Sequence, residues 1–334
     1  MSWSKSMEEK IFSQKCVEVI AILRNASCIV LAGHGNPDGD SLGSVLGFAR
    51  ALEENLGKDA ICYSVDPVPS AFNALAGAES IVREIEWYPD VIVGFDYGDI
   101  RRLGIPEEFL QAAQIITFDH HPVGRQEGDV VLIDTTVAST TELLYHFMRE
   151  VNWSISKDVA QCLLTGIITD TGAFAHNTKE RTFQAAGDLV ARGALLSRVY
   201  ESAFGGKSAQ VLNAWGSLIA GAYRDPRTNA MFLFVPFAEF KSYGIVLEDL
   251  AGVVSVLNRA AEADFSVFAL EYEPGHIKVS FRGEEFKGVP VAPIAEALGG
   301  GGHIYAAGCT LDMPFEEAQT RIKEAVERSV GVAA

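Results

Sequence analysis

Short apolar runs that end abruptly in polar residues, each followed by a stretch of helical periodicity, constrain this chain more than any other feature. Residues 27–34 read SCIVLAGH, a short apolar run ending in polar residues, as expected of a parallel strand buried on both faces. Residues 40–56 then place Leu42, Val45, Leu46, Ala49 and Leu52 at helical spacing, with Gly57 as the stop. The pattern recurs with strand-like runs at 60–65, 90–95 (DVIVGF), 114–118 (QIITF) and 130–133. Helix-like segments follow at 140–151, 158–168, 180–192 and 198–223. Strands alternating with helices predict an α/β fold built on a parallel sheet.

The pattern breaks at 223–228 (YRDPRT), where a proline and turn formers stand. Beyond it come a strand-like run at 230–236, a helical segment at 247–261 and a hairpin of 265–272 and 277–282 around Pro274-Gly275. A helical 292–298, a glycine run, a short strand and an amphipathic helix complete the chain. The reading is a larger domain over 1–222, a linker at 223–229 and a smaller α/β domain over 230–334. The 334 residues, 48% hydrophobic and 21% charged, suffice for two cores. No internal repeat or low-complexity tract is present.

Composition narrows the function. The net charge of −17 argues against binding long duplexes, which depends on many lysine and arginine contacts to phosphate. It leaves room for a small anionic substrate at one local site, and clustered carboxylates neutralised by metal ions would account for part of the excess. No apolar run approaches the roughly 18 residues of a membrane span, and the N-terminus lacks a secretion signal. Five scattered cysteines without a C-x-x-C pair fit reduced thiols in a cytoplasmic protein better than a disulfide framework.

In a doubly wound sheet, ligands sit outside the carboxyl ends of the strands. The first strand delivers His34, Asp38, Asp40 and Ser41 to that rim; the third delivers Asp96 and Asp99; the fourth delivers Asp119, His120 and His121. A helix end at 164–169 leads into Asp170-Thr171-Gly172. Taken singly, each stretch reads equally well as a turn or a helix cap. Four of them arriving at one rim do not. Crowded carboxylates repel unless cations intervene or some stay protonated. Carboxylate with imidazole and no thiolate selects Mn²⁺, Mg²⁺, Fe²⁺ or Co²⁺ over a structural zinc. So many donors suit two ions roughly 3.5–4 Å apart, an arrangement that activates water against a phosphorus centre.

These residues resemble the DHH phosphoesterases. The motifs stand as GHGNPDGDS (33–41), DYGD (96–99), FDHHP (118–122) and TGIITDTGAF (165–174), and GGGGHIYAAG (299–308) resembles the glycine-rich motif of the DHHA1 domain. Nearly the whole chain is covered, and the stand-alone nanoRNase and pAp-phosphatase branch is the most similar. The resemblance implies a DHH domain, a smaller DHHA1 domain, an active-site cleft between them and two Mn²⁺ ions. Carried over residue by residue, it implies that His34 and Asp38 ligate one ion, that Asp40, His120 and Asp170 ligate the other, and that Asp96 bridges both. Asp119 would orient a histidine, and His121 would face the phosphate or leaving group.

For the substrate, Gly299 to Gly302, with Gly300, Gly301 and Gly302 at its centre, could converge backbone N–H groups on an anion, the alternative being a flexible turn. His303 follows directly. Arg282, at the end of a strand, could clamp phosphate in bidentate fashion, the alternative being an ion pair with Glu284 or Glu285. Asn258 and Arg259 could also reach the cleft, but a solvated helix face is the preferred reading. Where relatives often carry arginine or tyrosine, this chain has Ala175-His176, and His176 is either a substrate contact or a turn cap. The expected activity is hydrolysis of dinucleotides such as pGpG or pApA, and of slightly longer RNA, to 5′-mononucleotides. Alternatives are pAp phosphatase or cyclic-dinucleotide phosphodiesterase activity. A pyrophosphatase would need a more basic second domain, and a non-catalytic sensor would have lost the bridging aspartate. A dehydrogenase would need a G-x-G-x-x-G turn that residues 33–39 do not offer. Apolar positions within 137–147 and 199–219 offer a homodimer face, although core packing accounts for most of them.

Overall fold

The computed structural model describes residues 7–121, 127–203, 207–250 and 252–331; Pro122 of the FDHHP motif lies outside them. Two compact units divide the chain, Met1–Gly206 and Lys207–Ala334.

The first unit runs α1 (Met7–Asn25), β1 (Ile29–Ala32), α2 (Gly39–Leu56), β2 (Ile61–Tyr63), β3 (Val91–Phe95), α3 (Glu107–Ala112), β4 (Gln114–Asp119), β5 (Val130–Ile133), α4 (Thr140–Glu150), α5 (Lys157–Asp170), α6 (Glu180–Ala191) and α7 (Leu196–Ala203). Its sheet has the order β2-β1-β3-β4-β5, and every pairing is parallel. The parallel sheet expected from the alternating pattern is what the chain forms. Strand order reverses between β1 and β3, and such a switch point opens a crevice at the carboxyl ends of the two strands. His34 follows the first of those strands and Asp96 follows the second.

Two features hold that edge in place. Phe95 and Phe118, the residues just before Asp96 and just inside Asp119, are wholly buried. Their rings lie 5.3 and 5.7 Å from Phe48 of α2, so the strand ends are pinned from beneath. The second feature is a glycine stripe. Gly39 and Gly43 of α2 face α5 so closely that a Cβ would stand 2.5 Å from Thr169 Oγ1 and 2.5 Å from the Cys162 carbonyl oxygen. This approach carries Asp40, at the start of α2, toward Asp170, at the end of α5.

The second unit runs α8 (Ala209–Ala220), β6 (Tyr223–Arg224), β7 (Ala230–Val235), α9 (Phe237–Ser242), α10 (Val253–Leu257), β8 (Phe265–Glu273), β9 (His276–Gly283), α11 (Ala292–Ala297), β10 (Gly301–His303), β11 (Ala306–Asp312) and α12 (Phe315–Ser329). Its mixed sheet has the order β10-β11-β9-β8-β7-β6. One face packs Val267, Val279 and Phe281 against α11 and α12, and part of the other packs Phe268 and Leu270 against α8 and α10.

Two segments differ from the sequence reading. The helix expected over 198–223 is two helices, α7 and α8. The second of these packs Val211, Ala214 and Leu218 against Leu233, Phe240 and Leu250, which places it with the second unit. The helix expected over 247–261 is a 3-10 turn at Leu247–Leu250 followed by α10, because Gly252 takes φ 96° and ends the regular spiral. The expected hairpin forms as β8 and β9. Among the described residues, no helix is long and apolar enough to cross a membrane.

Candidate metal centre

Each residue of the rim is held by its own local structure. Asp38 caps α2, its Oδ1 accepting the Asp40 and Ser41 N–H groups at 3.0 Å each. That leaves Oδ2 3.7 Å from His34 Nε2, and the His34 ring is fixed through Nδ1 to the Gly35 carbonyl at 2.8 Å. Asp96 stands just past β3 with φ 54°, a left-handed conformation that aspartate tolerates better than most residues. Its Oδ2 lies 3.5 Å from His34 Nε2 and its Oδ1 3.5 Å from His120 Nε2. The same ring nitrogen, His120 Nε2, stands 3.4 Å from Asp170 Oδ2.

Asp40 is fully buried and sits at the N-terminus of α4. Its Oδ2 accepts the Thr140 N–H at 2.7 Å; its Oδ1 accepts the Thr141 N–H at 2.9 Å and the Thr141 hydroxyl at 2.6 Å. Thr140 also donates its hydroxyl to Asp96 Oδ1 at 3.2 Å, so one helix start braces two carboxylates. Asp119 is spent on other partners: Oδ1 accepts the His120 and His121 N–H groups and the His121 ring Nδ1 at 2.8, 3.0 and 2.8 Å, and Oδ2 accepts the Gly98 N–H at 2.8 Å. Asp99 caps a 3-10 turn and is gripped by Arg101.

The electrostatics show strain between like charges. Burial and the charge of Asp96 push Asp40 up to about 7. Burial and the charge of Asp40 hold Asp170 well above the ordinary carboxylate value. Burial would raise Asp96 too, but hydrogen bonding to His120 and His34 outweighs it and lowers its pKa. Burial alone would depress the two histidines; contacts with Asp38 and Asp96 raise His34 to about 10. Those with Asp96, Asp40 and Asp170 do the same to His120. Asp119 is held low, burial being overcome by His121.

Three sets of donor atoms lie within 4.8 Å of one another: His34, Asp38 and Asp96; Asp40, His120 and Asp170; and Asp96, His120 and His121. They overlap at Asp96 and His120. Separations of 3.4–3.7 Å exceed a hydrogen bond but are near the spacing of two atoms that each stand about 2.1 Å from one ion. The donor chemistry, oxygen and imidazole without thiolate, fits divalent cations. All six proposed ligands are thus gathered, and Asp119 stands behind them.

The remaining candidates lie elsewhere. His176 is exposed six residues past Asp170, its N–H donating to the Thr171 carbonyl at 2.9 Å. Register places Arg282 opposite Ala306, and Ala306 opposite His303, so both side chains stand on the sheet face away from α11 and α12. Arg282 donates to the Phe281 carbonyl at 3.3 Å and has no ion-pair partner among the described residues; burial lowers its pKa. Glu284, the partner weighed for it, accepts instead from the Asn258 amide at 3.1 Å. Asn258 is buried, contrary to the solvated face expected. Gly301 and Gly302 are not in a free loop but in β10, paired with β11.

Sequence reading overlooked Ser139-Thr140-Thr141-Glu142. The S-x-x-E spacing marks a helix start, and Ser139 does cap α4. That two threonines after a cap would clamp a carboxylate a hundred residues earlier is a tertiary fact.

Fold and site together define a metal-dependent phosphoesterase. The family models for the DHH family, N-terminal domain, and for the DHHA1 domain match residues 28–167 and 232–331. The chain belongs to the DHH family. It is 30% identical over 317 residues to the bifunctional oligoribonuclease and PAP phosphatase NrnA of Thermus thermophilus, covering 90% of each chain. It is 25% identical to the protein of that name from Bacillus subtilis, over 88% of this chain and 92% of that one. Among solved structures, an exopolyphosphatase-related protein from Bacteroides fragilis matches at TM-score 0.88 and 23% identity, covering 96% of this chain and 97% of the other.

Proposed function

We propose that this protein is a phosphodiesterase that hydrolyses very short oligoribonucleotides, dinucleotides such as pGpG or pApA above all, to 5′-mononucleotides, in the reducing cytoplasm that its five free thiols suit. The observation that carries the reading is the overlap of the donor sets at Asp96 and His120. Shared ligands support a pair of adjacent cations, and Mn²⁺ suits the mixture of carboxylate and imidazole. His34 and Asp38 would hold one ion, Asp40, His120 and Asp170 the other, and Asp96 both. Two such ions supply Lewis-acid activation of water and of the phosphoryl oxygens.

The chain's own groups do the rest. Asp119 fixes the His121 ring through Nδ1, which assigns Nε2 to proton transfer at the departing 3′ oxygen as water adds to phosphorus and the P–O3′ bond breaks. Arg282, short of a counter-charge, and His303, Gly300, Gly301 and Gly302 would take the substrate's terminal phosphate. His176 would be a further contact.

The relatives' shared name favours phosphatase activity on pAp as a second activity of the same site. The test is a panel of 2-mers to 7-mers, pAp, cyclic dinucleotides and pyrophosphate with Mn²⁺, compared by kcat/KM. Highest values for 2-mers are expected. Preference for 7-mers or pyrophosphate would overturn the proposal.

A further inference from the structure

Two arginines stand side by side at the rim, and the structure treats them oppositely. Arg101 closes on Asp99 through Nε–Oδ1 at 2.9 Å and Nη2–Oδ2 at 2.5 Å. That pair consumes the carboxylate next along the chain. Arg102 is left without an ion-pair partner among the described residues. Its one side-chain hydrogen bond among the described residues runs from Nη1 to the Tyr97 carbonyl at 3.1 Å. An arginine has five N–H donors in a fixed plane, so four remain, and the bond to Tyr97 aims the fork.

The position matters more than the lack of a partner. Tyr97 lies between Asp96 and Gly98 in the loop that carries the shared carboxylate. A methyl group placed on Gly98 would stand 3.7 Å from His121 Cγ and 3.8 Å from Arg102 Nη1. Arg102 and His121 therefore flank the same bare backbone. The main chain of Arg102 also accepts the Gly35 N–H at 2.7 Å, which ties the His34 loop to the same spot. A cation at that edge, with unspent coplanar donors, is the group that matches phosphate geometry.

We infer that Arg102 contacts the substrate's phosphate beside His121, holding it in register for attack. The inference rests on the proposed phosphodiesterase reading and adds a contact from the first unit to it. Arg102→Ala should lower kcat/KM for a diribonucleotide by about 10²-fold, as removal of one donor to a reacting oxyanion does. Metal content should be unchanged, and added guanidinium should restore part of the rate. Arg102→Lys, which keeps charge but not the fork, should fall between. Calorimetry with the product 5′-AMP should show affinity for Arg102→Ala reduced roughly tenfold, a readout independent of turnover.

The two failures differ. A wild-type protein that cleaves neither diribonucleotide nor bis(p-nitrophenyl) phosphate sinks the proposed function and this contact with it. Wild-type turnover with Arg102→Ala within about threefold of it, or loss of metal from both Arg102→Ala and Arg102→Lys, overturns the role of Arg102 alone.

Discussion

The rim of the parallel sheet and the open face of the second unit handle charge in opposite ways. At the rim, carboxylates outnumber bases and three are heavily braced: Asp40 by three donors, Asp38 by two, Asp119 by four. The ring atoms of His34 and His120 are shared among them. In the second unit, Arg282 bonds a carbonyl and has no carboxylate partner among the described residues. One region is built rigid and awaits positive charge; the other leaves positive charge unspent and awaits an anion. The two regions should therefore fail differently when mutated. Variants of the rim's carboxylates and imidazoles should lose metal, and variants of the second unit should lose substrate.

The sharpest way to break that distinction is Asp96→Ala. Because Asp96 belongs to two donor sets, its loss should reduce kcat at least about 10³-fold and lower metal stoichiometry in the purified protein. Full metal content with near-normal turnover would end the two-ion assignment. Arg282→Ala makes the opposite case. Losing one charged hydrogen-bond donor should raise KM by about 10–100-fold, with metal content and thermal stability intact. Metal loss in that variant would erase the distinction between the regions.

Asp119→Asn tests whether bracing, rather than ligation, is what the rim needs. The four donors that converge on Asp119 require an acceptor at both oxygens, and an amide supplies one. Disordered His120 and His121 should lower metal affinity by about 10–100-fold, measured by titration of chelator-stripped protein.

The rim was legible in the sequence because its residues follow apolar runs directly, as His34, Asp96 and Asp119 do. Strand polarity alone then places them on one edge. The bracing was not legible, since the contact of Thr140 and Thr141 with Asp40 spans a hundred positions and depends on how α4 meets α2. Nor was the helix break at Gly252, where apolar spacing continues across a residue of positive φ. The hairpin setting of the glycine run was not legible either: glycines signal a turn locally, whereas Gly301 and Gly302 are drawn into a strand by β11.

Proton linkage separates the regions more gently. In chelator-stripped protein, His34 and His120 are raised to about 10, so their contribution to stability is full below about 6.5 and is lost as pH rises through 10. Asp40, raised to about 7, disfavours the folded state progressively as pH climbs from about 4 through 7. Both act in the same direction. Metal must displace these protons, so Mn²⁺ affinity, and the rise in Tm on adding Mn²⁺, should grow from pH 6 to pH 9. Calorimetry in buffers of different ionisation enthalpy should show proton release on binding. An affinity flat across that range would mean the donors are already deprotonated.

The smallest effect discriminates within the glycine run itself. A Cβ on Gly300 would stand 2.1 Å from the Gly308 carbonyl oxygen, and one on Gly302 would stand 2.6 Å from that of Ala306. Hairpin packing explains both glycines without any ligand. Nothing lies within 4 Å of a Cβ on Gly301, and register puts Gly301 opposite Gly308, on the face that carries Arg282 and His303. Gly300→Ala should therefore cost about 1–3 kcal/mol by overpacking and lower Tm whether or not substrate is bound there. Gly301→Ala should leave stability within about 0.5 kcal/mol yet raise KM if backbone approach to phosphate is its purpose. A silent Gly301→Ala beside an impaired Arg282→Ala would assign anion binding to the guanidinium and strip the glycine run of any role but the hairpin.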